Sequence, residues 1–150
     1  MAYETTHVTN EKSVDQLNSF LRGELSACET YRQALEKLND SPFRTELEGC
    51  LRSHEMRATE LKNQILALGG QAAEGSGIWG AFAKLVEGGA KVFGDKSAIA
   101  VLEEGEDHGL KDYQRDLAEL DAASRQVVER CLIEQRRTHE ILSQIKHSFH

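Results

Sequence analysis

The sequence predicts an all-α protein, a single bundle of four helices. Apolar residues recur at alternating three- and four-residue spacings through long segments, the signature of helices with one buried face. The single proline and most of the 12 glycines fall between those segments, so they punctuate helices rather than strands. At 150 residues the chain is one ordinary domain, able to bury roughly two thirds of its unfolded surface without a disulfide or a structural metal.

Residues 10–68 read as a first helical hairpin. Its first helix runs from about Asn10 to Asn39 on the seam Val14, Leu17, Leu21, Glu24, Cys28, Tyr31, Leu35 and Leu38. The turn "NDSPF" offers Ser41 as a cap and Pro42 at the first helical position of the second helix. That helix continues to Leu68 on the face Leu47, Leu51, Ala58, Leu61, Ile65 and Leu68, where "GGQAAEGSG" ends it. Residues 69–95 form a long crossover, in which "IWGAFAKLVEGGAKVFG" reads as a shorter, glycine-weakened helix; were it an interaction surface, Trp79, Phe82 and Phe93 would lie partly exposed as an apolar patch. Residues 96–148 form a second hairpin. Its first helix starts at Asp95 or Lys96 and runs to about Leu120 on Ile99, Leu102, Glu106, Leu110, Tyr113, Leu117 and Leu120. "DAAS" is a tight connection, and the last helix runs from about Arg125 toward the C-terminus on Val128, Cys131, Leu132, Gln135, Leu142 and Ile145. Two hairpins joined by one long connection make a four-helix bundle with a crossover.

The formal charge of -7 supplies no basic face, which argues against nucleic acid and anionic membranes and leaves cations, small molecules or proteins as partners. Cys28, Cys50 and Cys131 are odd in number, form no Cys-x-x-Cys pair and lie at or near helical core positions, which fits a reducing cytoplasm. "MAYETTHVTNEKSVDQ" has neither a basic start nor an apolar run, and no stretch approaches the ~20 apolar residues of a membrane span.

The anomaly is a glutamate on each of two seams. "GELSACETY" and "GEDHGLKDY" share Gly-Glu followed by Tyr, placing Glu24 and Tyr31 on the first helix and Glu106 and Tyr113 on the third. An unpaired carboxylate taken out of water costs several kcal/mol, so two of them aimed into one core require positive partners. His54 lies at the centre of the second helix's face and His139 on the flank of the fourth's, each close enough to the level of a glutamate for side chains to meet. Two carboxylates and two imidazoles suit iron, manganese or zinc. The competing possibility is a purely structural polar core, with the glutamates satisfied by Arg57, Arg136 or a tyrosine hydroxyl. Tyr31 and Tyr113 are expected to hydrogen-bond a carboxylate across the bundle. Glu103, Glu104 and Asp107 read as a solvated face, Glu60 as surface, and the cysteines as small core residues.

These residues resemble a family. The paired Glu and Tyr in a crossover bundle look like the ferritin-like superfamily, which includes ferritins, bacterioferritins and rubrerythrins. Within it, "GGQAAEGSGIWGAF", "EEGEDHGLKDY" and "VVERCLIEQRRTHEIL" resemble an uncharacterised bacterial family of ferritin-like proteins known only as a domain of unknown function, and the likeness spans nearly the whole chain. The resemblance implies a left-over or modified di-iron scaffold, in which Glu24 and Glu106 match the glutamates of helices one and three and His139 a histidine of the last helix. Working sites of that superfamily use Glu-x-x-His on helices two and four. Here the triplets that end in His54 and His139 begin with Leu51 and Arg136, so both bridging glutamates are missing. Two cations ~3.5–4 Å apart rely on such shared carboxylates, which puts di-iron oxidase chemistry in doubt. The expectation is therefore a metal-binding bundle holding iron or zinc at Glu24, His54, Glu106 and His139, surrounded by Tyr31, Tyr113 and Arg57, in a stress or storage setting. No organic cofactor is expected, catalysis is left open, and a homodimer is favoured over a storage cage. The alternative is a non-enzymatic structural or protein-interaction bundle with a relic polar core.

Overall fold

The structure, a computed structural model, describes residues 2–38, 40–75, 94–115, 117 and 120–149, with side chains from residue 10 onward. The elements are α1 (Ala2–Lys37), α2 (Arg44–Ala67), α3 (Asp95–Arg115) and α4 (Ala122–His147), and the described residues contain no strand. α1 packs along α2 and α3 along α4 as two hairpins, which meet through α1 against α3 and α2 against α4. The result is the expected all-α four-helix bundle. The crossover helix expected within residues 69–95 falls largely on residues outside the described ones, as do Trp79, Phe82 and Phe93.

Helix boundaries differ from the sequence reading where local chemistry competes with periodicity. α1 begins at Ala2, because no proline or glycine precedes Asn10 and each further residue adds a hydrogen bond to an existing helix. Ser41 does hydrogen-bond the backbone N–H of Phe43, at 3.1 Å, but as part of a turn; α2 starts only at Arg44 and has no side-chain cap. α3 ends at Arg115 rather than near Leu120. The last helix starts at Ala122 rather than near Arg125: within the tight "DAAS" connection the Asp121 carboxylate accepts from the Ser124 N–H at 3.3 Å and caps the helix.

The expected stop at the end of α2 is a Schellman motif. Gly69 sits at φ +77° and donates to the Leu66 carbonyl, while Gly70 donates to that of Ile65, both at 3.0 Å. Gly70 also permits close packing, because a Cβ there would lie 2.7 Å from both γ-carbons of Val14 on α1. Gly70→Ala is therefore expected to destabilise the protein by about 1–3 kcal/mol in denaturant melts, and an unchanged midpoint would show that the α1–α2 contact yields easily.

The apolar core is in two parts. One cluster gathers Leu17, Phe20, Leu21, Leu61, Ile65, Tyr113, Val128 and Cys131 toward the α2 terminus, and the other gathers Tyr31, Leu35, Leu38, Leu47, Ile99, Leu102 and Leu142 toward the α1–α2 turn. Between them lies a layer of buried polar side chains, Glu24, His54, Arg57, Glu106, Gln135 and Thr138.

Candidate functional site

His54, on the buried face of α2, is the centre of that layer. Its Nδ1 lies 3.1 Å from Oε1 of Glu24 on α1, and its Nε2 lies 2.6 Å from Oε2 of Glu106 on α3. Carboxylates accept only, so each ring nitrogen is best used as a donor, which makes the ring an imidazolium. Burial pushes the His54 pKa down, but Glu106 and Glu24 outweigh it and hold the ring up at about 9.

Glu106 is fully satisfied. Its Oε2 also accepts from the Tyr31 hydroxyl at 2.6 Å, and its Oε1 accepts from Gln135 Nε2 at 2.9 Å and Thr138 Oγ1 at 2.7 Å. Burial works to raise its pKa, yet the His54 charge and the hydrogen bonds from His54 and Tyr31 carry it below the usual carboxylate value. The amide of Gln135 reaches this site past Gly109, where a Cβ would lie 2.9 Å from Nε2.

Arg57 closes the layer from α2 and is 0% exposed. Its Nε lies 3.2 Å from Oε2 of Glu24 and donates to the Ser53 carbonyl at 3.3 Å. Its remaining nitrogens donate to Gln135 Oε1 and, at 3.1 Å, to Thr138 Oγ1. Two carboxylates thus face two cations, and the buried layer is neutral overall.

Three of the four expected ligands, Glu24, His54 and Glu106, are brought together. His139 is not. Its side chain is 23% exposed and its Nε2 lies 3.6 Å from Asp107 Oδ1 at the surface, while Thr138 takes the core position. The strict three-four seam of α4, Val128, Cys131, Gln135, Thr138, Leu142 and Ile145, passes through Thr138 and was the signal that could have found it. On α2 the same spacing runs Cys50, His54, Arg57, Leu61 and brings Arg57 inward, leaving Ala58 half-buried. Tyr31 meets the carboxylate of the opposite hairpin as expected. Tyr113 does not mirror it. Its ring stacks on Phe20 at 4.8 Å, and its buried hydroxyl meets the thiol of Cys131 instead of a carboxylate. Arg136 is exposed, and Glu103 and Asp107 pair with Lys146 and Lys111 on the solvated face.

The donor set does not fit a metal in this arrangement. The two ring nitrogens of His54 point away from each other toward different carboxylates, so one ion cannot take His54, Glu24 and Glu106 together. Among the described residues no group of three or more His, Cys, Asp or Glu side chains is placed to hold an ion. Over residues 12–119 the chain matches a family described as a domain of unknown function, DUF2383. No curated protein and no solved structure gives a significant match.

Proposed function

The chain belongs to the DUF2383 domain-of-unknown-function family, and we propose that it is a non-enzymatic bundle of ferritin-like descent whose core carboxylates are neutralised by His54 and Arg57 instead of a metal. The observation that carries this reading is the guanidinium of Arg57, fully buried and 3.2 Å from Glu24, where a second cation would be repelled. The three cysteines support a reducing, cytoplasmic setting. They are free and buried, and burial foremost pushes each thiol up to about 12, so they act as packing residues.

The competing reading places one iron or zinc ion on Glu24 or Glu106 together with His54. It requires His54 to give up a proton and one of its carboxylates, and a cation to sit in the field of Arg57. Metal analysis of untagged protein separates the two. The expected result is well under one equivalent of iron or zinc, with a melting temperature indifferent to chelator. A stoichiometric metal would instead add about 3–4 kcal/mol at 100–1,000 times its dissociation constant. Its loss to chelator with a fall in melting temperature would establish the metal reading.

A further inference from the structure

A cavity of about 210 Å³ lies between α1 and α3. Its floor is the polar layer, where Glu24, His54 and Glu106 are only 4%, 2% and 3% exposed and are engaged with one another and with Arg57. Because His54 and Arg57 balance the two carboxylates, that floor presents no net charge to a guest. Much of the wall is apolar, from Phe20, Ala27, Leu102 and the ring of Tyr113.

The mouth differs from the wall. Ser19 and Arg22 lie one turn apart on α1, both exposed on the rim, and among the described residues neither side chain makes a hydrogen bond or an ion pair. The carboxylate on the rim, Asp112 of α3, is already taken by Arg115 at 2.9 Å and by His108 at 3.3 Å. Arg22 is therefore a cation without a counterion at the entrance to an apolar chamber. A planar guanidinium takes a carboxylate through two parallel hydrogen bonds, and the Ser19 hydroxyl adds a donor on the same helix face. The volume exceeds the roughly 150 Å³ of an apolar cavity that takes benzene, so one ring or a short branched chain fits. A single unpaired cation suits a single negative charge.

We propose that the cavity between α1 and α3 is a binding site for a small amphipathic monocarboxylate, its apolar part against Phe20, Ala27 and Leu102 and its carboxylate on Arg22 at the mouth. That the floor does not repel such a guest rests on the charge-balanced core proposed above.

The probe is benzoate, with benzamide as its uncharged counterpart, titrated into the full chain at neutral pH and followed by calorimetry and amide chemical shifts. Saturable binding of benzoate, about fivefold or more tighter than benzamide, is the expected result. Arg22→Gln should bring benzoate to the level of benzamide and leave benzamide unchanged. Arg130→Gln, at an exposed arginine of α4 that does not line the cavity, should alter neither. Ala27→Leu, which fills the buried apolar wall, should weaken both by about tenfold or more. No saturable benzoate binding, equal affinity for benzamide, a benzoate preference that outlives Arg22→Gln or falls equally in Arg130→Gln, or binding that survives Ala27→Leu would each overturn the site; should the last variant not fold, Arg22→Gln decides alone. Chelator-indifferent melting without benzoate binding would refute the cavity site and leave the charge-balanced core standing. Metal-dependent melting would refute the latter.

Discussion

Arg57→Leu lowers the unfolding free energy by about 3–5 kcal/mol, because it leaves the Glu24 carboxylate buried with one cation fewer and removes donors from Gln135 and Thr138. Glu24→Leu is destabilising for the reciprocal reason: two buried cations, His54 and Arg57, are left facing the single carboxylate of Glu106. The double variant keeps the His54–Glu106 pair and exchanges the other pair for apolar volume, so it should recover much of either single loss. Denaturant melts of the four proteins, all in chelator, measure this cycle. A Glu24→Leu protein more stable than wild type in chelator would mean that Glu24 is a strained, unpaired carboxylate, as a vacated metal ligand would be, and would refute the ion-pair reading.

Stability falls between pH 6.5 and 9. The pKa of His54 is raised from 6.5 to about 9 on folding, so its stabilisation is complete below 6.5 and is lost as pH climbs through the folded value. A shift of this size is worth on the order of 3 kcal/mol. The groups facing the ring explain the direction: Glu24 and Tyr31 from α1, Glu106 from α3, and Arg57 from its own helix, while α4 brings the uncharged Gln135 and Thr138 to the layer. Glu106 acts oppositely. Its pKa is lowered from 4.5, so its contribution is present above that value and disappears in acid, which puts the stability maximum between the two windows. Urea melts across this range should show the alkaline decline in wild type and a flat profile in His54→Gln. A wild-type profile flat from pH 6.5 to 9 would show that His54 is buried neutral.

The sequence by itself determined that there are four amphipathic helices, that Glu24 and Glu106 are turned into their shared interior, and that His54 faces them. Helical period alone decides which residues share a face, and a chain of this length buries the apolar face of every long helix. Tyr31 could be placed against a carboxylate of the other hairpin on the same ground. Only the tertiary structure decided which side chain meets which. Neighbouring residues on a helix differ by ~1.5 Å in height and by roughly 100° in direction, and choosing Thr138 over His139 required the register of α4 against α3. The same holds for Arg57. Helical spacing offered Arg57 only as one of several groups, beside Arg136 and the tyrosines, that could satisfy a core glutamate; its selection rests on Glu24, Gln135, Thr138 and the Ser53 carbonyl converging on the buried guanidinium from three helices. Whether a set of carboxylates and imidazoles encloses an ion or an ion pair depends on distances of a few tenths of an ångström and on ring orientation. Those belong to the packing of four helices and not to the spacing within any one of them.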